Sequence, residues 1–90
     1  DEAMKHLATV RLARVLKEQE KLDEALALVS AEPTNAFEAE YAEVKGDVLY
    51  AKGDKDGARE AYQKAKVANE RIGNNNQILE MKLNDLAVAQ

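Results

Sequence analysis

KGDVLYAKGDKDGAREAY, residues Lys45 to Tyr62, repeats the pattern of LARVLKEQEKLDEALALV, residues Leu12 to Val29, at an offset of 33 positions. Leu16 falls on Leu49, Ala25 on Ala58 and Val29 on Tyr62. Each copy holds a helical stretch, a short polar corner, and a second helical stretch with small or apolar residues at three- and four-residue intervals. The corner of the second copy, KGDKDG, decides the reading. Gly53 can take the positive φ at which a helix stops, and Asp54 can accept hydrogen bonds from the free N–H groups that open the next helix. The same letters invite a calcium loop, with Gly57 as its obligatory glycine. That register puts Lys52 at the first ligand position and Gln63 at the last. An ammonium repels a cation and a glutamine cannot replace the closing bidentate glutamate, so the stretch is read as a corner between two helices.

Composition supports helices throughout. Hydrophobic residues make up 46% of the 90 residues but aromatics only 4%, so any core is built from alanine, leucine and valine and favours closely packed helices. A chain of this length suits one domain, residues 1–90. The formal charge of −4, with both signs interspersed, offers no cationic face for phosphates, and nucleic-acid binding is not expected. No apolar run approaches the about 20 residues that span a bilayer, so no membrane contact is expected of these residues themselves. Opening on Asp1 suggests a piece excised from a longer protein, with any targeting segment outside it. The absence of cysteine excludes disulfides and thiolate metal sites.

Offset and residue types together resemble the tetratricopeptide repeat, a helical hairpin of about 34 residues. The second copy, Ala39 to Ile72, fits through Gly46, Leu49, Gly53, Ala58, Tyr62 and Ala65. Gly46 and Ala58 let the two helices approach, while Leu49 and Tyr62 fill the space around that contact. It departs from the family in having Ala42 where a tryptophan is usual and Glu70 where a proline is usual. The first copy, His6 to Glu38, matches at Ala13, Leu16, Ala25 and Val29. There Glu20 replaces the corner glycine, Glu32 replaces the last small residue, and the second helix is expected to stop before Pro33. GNNNQ then reads as a stop at Gly73 and a restart capped by Asn76. Asn76 to Ala89 is expected to form a capping helix, with Leu79, Leu83 and Leu86 buried and Ile78 and Met81 widening the apolar side. The predicted fold is all-α: two tetratricopeptide-like antiparallel hairpins and a C-terminal capping helix.

His6 and Ser30, the single histidine and serine, fall on different helices with no third partner, which argues against a catalytic triad or an imidazole metal cluster. No glycine-rich loop follows a strand. Neither enzyme activity nor a cofactor is expected.

In tetratricopeptide proteins the first helices of successive hairpins line a concave groove. The resemblance implies that Leu7, Val10, Arg14 and Lys17 face it from the first copy, and Glu40, Glu43, Asp47 and Tyr50 from the second. An opposing reading has Arg14 and Asp47 bridging to each other with no ligand. The lysine and asparagine clamp of chaperone-adaptor repeats is missing, since Val10 and Arg14 stand at its first-helix positions.

A closer resemblance runs from Met4 to Ala89. VRLARVLKEQEKLDEALALV, AEVKGDVLYAKGDKDGAREAYQKA and LEMKLNDLAV, in this order and spacing, resemble the C-terminal part of the bacterial ancillary SecYEG translocon subunit family. That resemblance implies a bacterial inner-membrane protein with its repeats on the periplasmic face, although the membrane anchor is absent from this chain. The implied partners are the SecYEG translocon, a PpiD-type periplasmic chaperone and unfolded client chains. The implied role is non-enzymatic, passing newly translocated polypeptides to periplasmic chaperones. The rival reading is a scaffold that docks one fixed, folded partner.

Overall fold

A computed structural model describes residues 1–31, 33 and 36–88. Five helices follow one another: α1 (Glu2–Glu18), α2 (Leu22–Val29), α3 (Glu38–Ala51), α4 (Lys55–Arg71) and α5 (Gln77–Val88). No strand occurs among the described residues. The chain is all-helical, as predicted from its repeat. Glu32, whose role in the first copy was read from sequence, and Ala89, the expected end of the last helix, lie outside the described residues.

Local chemistry sets the helix ends. Asp1 caps α1 through the Met4 N–H at 3.2 Å, and Asp54 caps α4 through the Gly57 N–H at 2.8 Å. Asp56 pairs with Arg59 at 3.0 Å. The two aspartates of the supposed calcium loop thus serve the start of α4. Asn76 caps α5, its Oδ1 accepting from the Leu79 N–H at 3.0 Å. Ser30 donates to the Leu26 carbonyl at 2.6 Å as α2 stops at Val29, short of Pro33.

The two corners repeat at the level of single hydrogen bonds. Glu20 N–H donates to Lys17 O at 2.9 Å and Lys21 N–H to Leu16 O at 2.8 Å; 33 positions later Gly53 N–H donates to Tyr50 O at 3.0 Å and Asp54 N–H to Leu49 O at 2.9 Å. Gly53 takes φ +89°, and Glu20, its counterpart, is held at φ +62°. A side chain in the left-handed region costs about 1 kcal/mol or more, which glycine avoids. Glu20→Gly is therefore expected to stabilise the chain by about 0.5–1 kcal/mol, after the glycine's greater unfolded-state entropy is subtracted, and so to raise the urea midpoint. No rise would mean that the corner relaxes out of this conformation in solution.

Two cores form, and α3 belongs to both. Val10 and Ala13 of α1, Ala25 and Val29 of α2, and Tyr41, Val44 and Val48 of α3 make the first. Ala42 of α3, Ala58, Tyr62 and Ala65 of α4, and Leu79, Leu83 and Leu86 of α5 make the second. An apolar residue is needed on both sides of α3, so its sequence lacks the one-sided pattern of a surface helix. Within the second hairpin the close approach falls at Gly46, where an added Cβ would clash with the edge of the Tyr62 ring. Ala58 is fully buried. Ala58→Leu is expected to cost about 1–3 kcal/mol, because the added atoms have no volume to enter; an unchanged thermal transition would exclude this packing.

One expectation is corrected. Ile78 and Met81 do not widen the buried side of α5; each is 64% exposed. Leu79, Leu83 and Leu86 already fill the contact with α4, and the intervening turns point away.

Candidate protein-binding groove

The first helices of the hairpins, α1 and α3, pack against each other, and α5 adds a third wall beyond α3 through side-chain bonds. Of the first-copy residues expected on this face, Leu7 is 38% exposed and Arg14 is exposed, while Lys17 is half-buried. Val10 is a correction: it is fully buried in the first core against α3 and presents nothing to a ligand. From the second copy, Glu40 is half-buried and Tyr50 is 52% exposed.

Glu43 and Asp47, one turn apart on α3, are tied to other helices. Glu43 accepts from Asn76 Nδ2 at 3.0 Å and from Lys82 Nζ at 2.9 Å. Asp47 accepts from the Tyr62 hydroxyl at 2.6 Å and from Lys82 Nζ at 3.3 Å. Arg14 takes no part, so the expected bridge between Arg14 and Asp47 is not made. The Lys82 ammonium also sits 5.7 Å from the centroid of the Tyr62 ring, within reach of a cation–π attraction.

These contacts set the protonation states. Burial pushes the Tyr62 hydroxyl well above its ordinary pKa, and its hydrogen bond to Asp47 adds to the rise. Burial alone would lower the Lys82 pKa, but hydrogen bonds to Glu43 and Asp47 outweigh it and leave the pKa raised. The network thus sets a protonated lysine and a neutral tyrosine against the side chains of Glu43 and Asp47.

Beside the network lies a recess of about 370 Å³ between Lys17, Tyr50, Ala51, Tyr62, Lys82 and Asp85. Its floor is the Tyr62–Asp47 hydrogen bond, already satisfied, and its wall is the exposed Tyr50 ring. The recess combines aromatic surface with charges of both signs, from Lys17, Lys82, Asp47 and Asp85. A second recess of about 390 Å³ lies where α2, α3 and α4 meet, between Val29, Pro33, Tyr41, Ala42, Leu49 and Ala61.

His6 and Ser30 are occupied structurally. The His6 Nδ1 lies 2.9 Å from the Tyr41 hydroxyl, and Ser30 bonds to its own helix. Lys82 and Asp85, and the bond from Asn76 to Glu43, escape the sequence reading, which gives α5 only an apolar surface to cover.

A family profile, described as a tetratricopeptide repeat-like domain, matches residues 1–88. The chain belongs to the tetratricopeptide repeat-like domain family. Among curated relatives of this repeat-like chain, the ancillary SecYEG translocon subunit of Escherichia coli K12 is 33% identical over 88 residues, covering 98% of this chain and 42% of the relative. The ancillary SecYEG translocon subunit of Haemophilus influenzae Rd is 31% identical over 86 residues, covering 96% and 41%. The chain therefore spans about two fifths of the length of these relatives. No solved structure matches it significantly. Among the described residues of this repeat-like domain, no helix is long and apolar enough to cross a membrane.

Proposed function

We propose that this tetratricopeptide repeat-like chain is a non-catalytic protein-interaction segment of a translocon-associated subunit at the bacterial inner membrane. Its groove between α1, α3 and α5 takes extended stretches of newly translocated polypeptide on the periplasmic face and yields them to a chaperone of the PpiD type. Binding is reversible contact, with no bond made or broken. The observation that carries this reading is Tyr50, a 52% exposed amphipathic ring that lines the recess of about 370 Å³ between α3 and α5. The two relatives, both named as translocon subunits, supply the setting. Leu7, Arg14, Lys17, Glu40 and Tyr50 are the contact residues of this proposal; Glu43 and Asp47 act beneath them by holding α5 in place.

The test is a photo-crosslinking amino acid in place of Tyr50, activated in cells during active secretion. Adducts to nascent secreted chains that vanish when secretion is blocked support the reading. Adducts to one folded partner that persist when secretion is blocked would replace it with a fixed docking role.

A further inference from the structure

We infer that the recess beside Tyr50 is a pocket for an arginine side chain of the bound polypeptide, and that Asp85 is the residue that selects it. The inference rests on the polypeptide-binding reading given above and adds to it the chemistry of the side chain that the recess takes.

The positive charges of the recess are already answered from within the chain. The Lys82 ammonium lies 2.9 Å from Glu43, and 3.0 Å and 3.3 Å from the two carboxylate oxygens of Asp47. Lys17 lies 3.5 Å from Glu18, its neighbour on α1. An anionic side chain could reach Lys82 only by displacing a carboxylate whose side chain is 13% or 18% exposed. The displaced group would lose its cation and regain little water. The Tyr62 hydroxyl is taken as well, since it donates to Asp47.

One carboxylate and one ring are left to a ligand. Asp85 is exposed and forms no hydrogen bond or ion pair with any described residue. Tyr50 is half exposed, and no cation among the described residues lies over its ring. Both line the same recess. Its other ring, Tyr62, already has the Lys82 cation 5.7 Å from its centroid, so one tyrosine of the recess is matched with a cation and the other is not. On this side three carboxylates, Glu43, Asp47 and Asp85, stand against the single ammonium of Lys82, a surplus that favours a cationic guest.

Arginine suits these groups better than lysine. A planar guanidinium stacks on an aromatic ring and offers a fork of N–H donors to a carboxylate, whereas an ammonium is a compact and strongly hydrated charge. The aliphatic stem can lie along Ala51, the small residue of the lining. An apolar side chain in the same place would cover Asp85 and return no hydrogen bond.

The test uses the whole chain, labelled with nitrogen-15, and extended peptides of about ten residues, or roughly 33 Å in length. The peptides differ only in one central residue, which is arginine, its neutral isostere citrulline, or glutamate. The arginine peptide is expected to shift the amides of Tyr50, Ala51 and Asp85. It should bind about tenfold more tightly than the citrulline peptide, the effect of one partly exposed charge-assisted contact, and the glutamate peptide should bind most weakly. Asp85→Asn should bring the arginine and citrulline peptides to equal affinity, and Asp85→Lys should put the glutamate peptide first. Tyr50→Leu should weaken the arginine peptide more than the citrulline one. Both residues are exposed, and circular dichroism verifies that the variants fold. Three peptides that bind alike, with shifts at the recess, would overturn the inference and leave the proposed function standing. An arginine preference that survives Asp85→Asn would also overturn it. Binding by none of the peptides would overturn both.

Discussion

Gly46→Ala is expected to destabilise the chain by about 2–3 kcal/mol, near the upper end of the range for overpacking a closed core. The added Cβ would clash with the edge of the Tyr62 ring, and Tyr62 is 3% exposed. It cannot swing aside without breaking the hydroxyl bond to Asp47 and disturbing the floor of the recess. The same substitution at Gly53 meets no atom and costs only the left-handed backbone, on the order of 1 kcal/mol. Chemical denaturation followed by near-ultraviolet circular dichroism separates the two: Gly46→Ala alters the tyrosine signal of the native state and Gly53→Ala does not. Combining Gly46→Ala with Tyr62→Ala should cost less than the sum of the single changes, since the second removes the obstacle to the first. Strict additivity would place the close approach elsewhere.

Lys82→Met is the second large effect, expected at about 1–3 kcal/mol. It keeps the length and apolar stem of the side chain but leaves Glu43 and Asp47 facing each other without a cation. Their side chains are 13% and 18% exposed, so the repulsion is poorly screened. Breaking a fully buried pair costs about 3–5 kcal/mol, and the 31% exposure of Lys82 places this case below that range. Amide exchange should rise along α5, the helix that Lys82 ties to α3. Alkaline pH gives an independent measure. Lys82 and Tyr62 both have raised pKa values in the folded chain, so the folded state holds their protons when the unfolded state has begun to release them. Their contribution is complete below about pH 10 and is lost as pH climbs past it. The urea midpoint should therefore fall between about pH 10 and about pH 11.5, less steeply in Lys82→Met and less steeply still when Tyr62→Phe is added. Equal slopes in all three proteins would exclude the network as the source.

The parts legible in the sequence are those fixed by backbone need. Gly53 and Gly73 have positive φ, Asp54 and Asn76 cap helices, and Gly46 meets Tyr62; each follows from one residue type at one place in a repeat. What escaped depends on which way a helix is turned against its neighbours. Val10 carries the letter of a groove contact but rotates into the core beside Val44 and Val48, because α1 needs an apolar side toward α3 as well as toward α2. Ile78 and Met81 share the apolar periodicity of Leu79 and Leu83, and only packing on α4 decides which are covered. Lys82 among many lysines bears no local sign that it will reach two carboxylates more than thirty residues away. Glu20 was legible as an exception but not in its consequence, since a chain can hold glutamate in a glycine conformation when the hydrogen bonds on both sides are made.

The sharing of α3 between two cores bears on how the molecule carries a load. In a stack whose units meet only at surfaces, one end can fray while the other stays intact. Here Tyr41, Val44 and Val48 anchor one end of the molecule, and Ala42, with Gly46 beside the Tyr62 ring, anchors the other, all on the same fourteen-residue helix. Loosening α5 frees one side of α3, and its other side then grips α1 and α2 less firmly. The two ends of the described helices are therefore expected to lose structure together, so that a substitution loosening α5 raises amide exchange in α1 and α2 as well.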